Sequence, residues 1–135
     1  MNNLKEYSEM VQSVTSKPSN EIDVMIERLK ELKKNNTNLN ISLFLTGAIG
    51  LSCESGEILE IAKKTVFQGK EMSEQTLFHI KRELGDVFWY FMNTLRSLNL
   101  TLDDVIIENK NKLENRYPGK EFSVQHSEHR KENDL

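Results

Sequence analysis

Cysteine occurs once and proline twice in these 135 residues. The lone thiol, Cys53, excludes an internal disulfide and any zinc site built on paired cysteines. It lies in an apolar stretch with no basic neighbour to lower its pKa, so it is expected to be a small buried hydrophobe and not a nucleophile. No apolar run is long enough to cross a bilayer. The longest, Ile41 to Cys53, is interrupted by Ser42, Thr46 and Ser52. The opening residues MNNLKEYSEM contain no apolar signal segment, which predicts a cytoplasmic chain without membrane association. Positive charge is not in excess either. The net charge of −3 repels a nucleic-acid backbone, so no nucleic-acid partner is expected, and a polyanion needs a local basic patch or a metal ion. There is no GxxxxGK[ST] loop, no nucleophile elbow and no alternating strand pattern.

Helical periodicity is what the chain does have. Leu4, Tyr7, Val11 and Val14 predict a first helix ending near Ser16-Lys17-Pro18. Ile22, Met25, Ile26, Leu29 and Leu32 predict a second, closing in Lys33-Lys34-Asn35-Asn36. From Leu39 to Phe67, residues Phe44, Ala48, Leu51, Ser55, Ile58, Leu59, Ala62 and Val66 form one broad side, and Gly69 is placed to cap the helix in the left-handed conformation. Gly47 and Gly50 fall on the same side as Glu54 and Glu57, leaving room there for a ligand or a close neighbour. The next helix is expected after Ser73, with a buried side of Leu77, Ile80, Leu84, Val87, Phe88, Phe91, Leu95 and Leu98, and an end at Asn99. Thr101 and Asp104 have capping-box spacing for a last long helix that stops at Pro118-Gly119. The expected fold is all-α, an antiparallel bundle of four to five helices completed by dimerisation. Its segments are an N-terminal helical part (1–38), a metal-binding helical core (39–118) and a polar tail (119–135). His126, His129 and Arg130 are scattered through that tail without a metal-ligand pattern.

Two acidic pairs stand out. Glu54 and Glu57 are three residues apart on one predicted helix, and Glu83 and Asp86 three apart on the next. Such spacing sets both members of a pair on one face. Antiparallel helices then present four carboxylates to each other, an arrangement too repulsive to bury without a cation. Mg²⁺, with Mn²⁺ as a second candidate, takes oxygen ligands and keeps positions open for substrate phosphates. The ordinary alternative is a solvated acidic surface, but Leu84, Val87 and Phe88 interleave with Glu83 and Asp86.

Asn109, Lys112 and Arg116 recur at helical spacing on the last helix and can neutralise phosphate, although a basic helix end also complements the helix dipole. Lys63 and Lys64 raise the same pair of readings. His79 and Tyr90 continue the acidic side of their helix. His79 is a candidate either to touch substrate or to hydrogen-bond a ligating carboxylate, or else an ordinary surface histidine. Trp89 is expected to pack in the core or between subunits.

The segments GLSCESGEILEIAKK, KRELGDVFWYF and ENKNKLENRYP, in this order between about Leu39 and Pro118, resemble the MazG-like, all-α nucleoside triphosphate pyrophosphohydrolases. The resemblance implies a helical dimer or tetramer in which Glu54, Glu57, Glu83 and Asp86 hold Mg²⁺. It implies hydrolysis of nucleoside triphosphates between the α and β phosphates, as in nucleotide-pool sanitation. Glu54, Glu57, Lys112 and Arg116 are then catalytic candidates, with Glu57 the first choice of general base. Lys63, Tyr90, Asn109, Lys112 and Arg116 are candidates to bind substrate. A relative acting on phosphoribosyl-ATP is the close rival, and a non-catalytic helical interaction protein the distant one. Residues Glu21 to Asn35 add helical material before the metal-binding helix. Asn38, Asn40 and Phe44 stand where family members often carry a histidine or other aromatic group, so base preference does not carry over.

Overall fold

A computed structural model describes residues 3–129. The order is α1 (Asn3–Val14), α2 (Lys17–Asn20), α3 (Ile22–Asn35), α4 (Ile41–Gln68), α5 (Glu74–Leu98), α6 (Leu102–Arg116) and α7 (Val124–Glu128), with no strand among the described residues. The expected all-α class holds. Two short helices were not anticipated. Ser16 is extended, and Pro18, which fits the first turn of a helix, sets the single turn of α2. In α7, the Ser123 side chain accepts from the His126 amide. Both helices are too short to show a periodic stripe in sequence. Residues 1–2 and 130–135, including Arg130 and the end of the tail, lie outside the described residues.

The long helices start and stop where local chemistry directs. Asn40 caps α4 by accepting from the Leu43 amide at 3.1 Å, and Gly69 ends it at φ +70°. Ser73 accepts from the Thr76 amide, and Asn99, at φ +55°, ends α5 in the same left-handed conformation. Thr101 and Asp104 form the expected capping box of α6, with Asp in the role usually held by Glu or Gln. Despite three internal glycines, α4 runs unbroken for 28 residues.

The α4–α5 hairpin is the body of the molecule. The Asn40 amide donates to the Ser97 carbonyl at 2.8 Å, tying the start of α4 to the end of α5 and fixing an antiparallel pair. Along the seam Gly47 meets Thr94 and Gly50 meets the Tyr90 ring so closely that a Cβ at either position would overlap its neighbour. Of the two uses open to these glycines, it is a neighbouring helix that takes the space.

This register changes which side of α4 is covered. Buried positions are Gly47, Gly50 and Ile61 on α4, and Thr76, Asn93, Leu95 and Ser97 on α5. The broad apolar side expected for α4 is largely open, with Ala48, Leu59, Ala62 and Val66 exposed, and so are Leu77, Leu84 and Phe88 on α5. The glycine row lets the backbones approach most closely, so it takes the seam and rotates the larger side chains outward. Cys53 turns out with them and is exposed, contrary to its expected burial. Ile61 and Leu95 are the buried hydrophobic residues among those described. The chain exposes 11453 Å², whereas a compact monomer of its mass exposes roughly 7,300 Å². Among the described residues, no helix is long and apolar enough to cross a membrane.

Candidate metal centre

The antiparallel register carries Glu54 past Gly50 and onto the level of Glu83 and Asp86. One carboxylate oxygen from each of Glu54, Glu83 and Asp86 falls within 4.8 Å of the other two. Glu54 and Glu83 are half-buried and Asp86 is exposed, so the cluster opens to solvent on one side. The two helices therefore bring together three of the four acids singled out in the sequence.

The electrostatics bear the mark of that convergence. Partial desolvation, followed by the negative charges of Asp86, Glu83 and Glu57, pushes the Glu54 carboxyl above its ordinary range. A hydrogen bond with Glu83 acts in the same direction. Without a cation, a proton kept on Glu54 is the natural relief of like charges held this close. Three hard oxygen donors at this separation, on a face open to water, suit a divalent cation that retains solvent or phosphate ligands. The donor set thus fits a metal such as Mg²⁺.

Glu57 stands one turn further along α4 and is exposed. It contributes charge to Glu54 but is not part of the converging trio. Lys63 is also exposed, while Lys64 pairs with Glu60 at 2.9 Å and holds that carboxyl below its usual range. Tyr90, expected at the substrate, lays its ring over Gly50 and meets Trp89 edge-on at 4.8 Å between ring centres. Trp89 itself is exposed and buried in no core of this chain.

Asn109 and Lys112 line a shallow, mostly apolar cavity of about 380 Å³ with Leu100 and Val105, which the acidic trio does not line. Arg116 is half-buried at the end of α6. α6 makes no extensive packing with α4 or α5, so one chain does not draw this basic row over the acids.

His79 extends the site. Its Nε2 lies 3.0 Å from Glu83 Oε1, and the same ring lines a cavity of about 400 Å³ with Lys70, Gln75 and Arg82. Sequence reasoning passed over Lys70 and Arg82. The row Gln75, His79, Arg82 at steps of four and three was the signal for Arg82, whereas Lys70 lies in the loop before α5 and no helical spacing points to it.

A model of the MazG nucleotide pyrophosphohydrolase domain matches residues 46–120, which include all of the acidic trio and α5. No curated protein and no solved structure matches the chain. The match covers more than half of the sequence and coincides with the helices that gather the acids. With the cation-ready trio, it supports hydrolase chemistry of the pyrophosphohydrolase type. The chain belongs to the MazG nucleotide pyrophosphohydrolase domain family.

Proposed function

We propose that this protein hydrolyses canonical or modified (deoxy)nucleoside triphosphates to the monophosphate and pyrophosphate in a Mg²⁺-dependent reaction, with Mn²⁺ able to substitute. The observation that carries the proposal is the convergence of Glu54, Glu83 and Asp86 within the matched domain. These three carboxylates would hold the cation. When bound, it supplies charge withdrawal from the phosphate oxygens and a lowered pKa for a nearby water.

The remaining roles fall to the chain's own side chains. Water attacks the α-phosphorus in line, the bond from that phosphorus to the bridging α–β oxygen breaks, and pyrophosphate departs. Glu57, exposed and one turn from Glu54, accepts the attacking water's proton. Lys112 and Arg116 counter the charge growing on pyrophosphate. Asn109 and Lys63 bind phosphate or ribose oxygens, and Tyr90 borders the nucleotide from its seat on Gly50. The basic row of α6 reaches the acids in an assembly of two or four copies, each closing its partner's open side.

The test is pyrophosphate release from dNTPs, NTPs and phosphoribosyl-ATP, with and without Mg²⁺, with the products identified. Turnover is expected on one or more nucleoside triphosphates, only with metal. Glu83→Ala and Asp86→Ala should each lose about two orders of magnitude or more, since even outer-shell changes at metal sites cost 10–100-fold. Helix content should survive, because neither residue caps a helix. Preference for phosphoribosyl-ATP would move the protein to the neighbouring activity. Near-parental rates in either alanine variant at limiting Mg²⁺ would remove the acidic trio from the reaction.

A further inference from the structure

We propose that His79 is a positioning residue for the metal centre: its imidazole holds one oxygen of Glu83 so that the other stays aimed at the cation. This rests on the trio being a cation site, and not on which substrate is hydrolysed.

His79 precedes Glu83 by one helical turn of α5, and the Nε2 to Oε1 separation is 3.0 Å. The pair differs from the ordinary ion pairs along these helices. The difference is burial and not distance: Lys30 with Glu27 at 2.6 Å and Lys64 with Glu60 at 2.9 Å are as close, but both of those carboxylates are well exposed. Glu83, by contrast, keeps only 13% of its side-chain surface and lies within 4.8 Å of Glu54 and Asp86. A glutamate has three side-chain torsions to order before it can serve as a ligand. Contact with the imidazole restricts those torsions and leaves the second carboxylate oxygen for the ion. Support of a ligating side chain by a neighbour outside the ligand set governs how tightly a metal site binds. His79 also lines the cavity shared with Lys70, Gln75 and Arg82 and is half exposed, so the ring is not needed to fill a core.

The experiment is a titration of the full chain with Mn²⁺ alone, followed by electron paramagnetic resonance, with no nucleotide present. His79→Ala should weaken Mn²⁺ binding by about tenfold or more, the range seen when outer-shell partners are removed. Far-UV circular dichroism and the metal-free thermal midpoint should stay at parental values. His79→Gln, whose amide can still reach Glu83, should retain most of the affinity. Should His79→Ala fail to fold, His79→Asn replaces it, since its shorter amide cannot span the turn to Glu83. Parental affinity in the variant that lacks the contact overturns the proposal. So does a His79→Gln protein that binds as weakly as the alanine variant. Because the probe is the metal alone, the two readings fail separately. A histidine-dependent Mn²⁺ site without nucleotide turnover sinks only the proposed function, and turnover with a histidine-independent site sinks only this inference.

Discussion

At Glu54 the fold holds a carboxyl where ionisation is disfavoured, first by desolvation and then by the charges of Asp86, Glu83 and Glu57. Its folded-state pKa therefore lies above the unfolded value of about 4.5. Between those two values the native chain binds more protons than the unfolded chain, so metal-free stability falls as pH rises through that window. Above the window the repulsion is fully present. Thermal unfolding in EDTA should show this decline, and Glu54→Gln should flatten it relative to the parent. Saturating Mn²⁺ should reverse it, because the ionised carboxylate is the form that binds metal. An identical pH profile for parent and Glu54→Gln in EDTA would mean that this carboxyl is not strained by its neighbours. At the same scale, Cys53 shows how a residue's surroundings in sequence differ from those in space. It closes an apolar-rich stretch of the chain, yet the helix face it occupies is exposed.

Helices meet or part according to what their facing rows allow. Gly50 sits under the Tyr90 ring, so Gly50→Ala must push the ring aside, at an expected cost of about 1–3 kcal/mol. Gly56, six residues along the same helix, has nothing within 4 Å of the place a Cβ would occupy. There alanine should stabilise by about 0.5–1 kcal/mol, through backbone entropy alone. Urea unfolding of the two variants measures both signs, and a Gly50→Ala chain as stable as Gly56→Ala would refute the close seam. The caps set by Gly69, Ser73, Asn99 and Thr101 were legible in advance because these residues act on amides and carbonyls within a few residues, whereas the Asn40 cap of α4 was read as lying inside the helix. The rotation of α4 about its own axis was not. Two rows of that helix are candidates for burial, and only the approach of α5 selects the glycine row over the larger apolar one.

As a whole molecule, one chain leaves its work unfinished. It exposes 11453 Å², some 4,000 Å² above the roughly 7,300 Å² of a compact monomer of this mass. Leu59, Val66 and Phe67 on α4 and Phe88 and Trp89 on α5 are part of the excess. Exposed apolar side chains of this kind suit a protein partner, and the proposed second copy would also bring a second basic α6. Analytical ultracentrifugation should give a mass of at least twice the 15.7 kDa of one chain, as a dimer or tetramer. Phe88→Asp, on the exposed side of α5, should shift the distribution toward monomer and lower turnover with it. A parental protein that sediments as a monomer at micromolar concentration would count against the composite site.

The amino-acid sequence by itself determined the helical class, the ends of the long helices and the two acidic pairs from which the cluster is drawn. Each of these depends on spacing along one helix or on bonds between near neighbours. It could not determine which three of four acids converge, that Tyr90 covers Gly50, or that α6 stands apart from the acidic cluster. Those outcomes depend on the register between α4 and α5 and on surfaces left for a partner. They were decided in the tertiary structure, where the closest backbone approach, and not hydrophobicity along a single helix, chose the face that is buried.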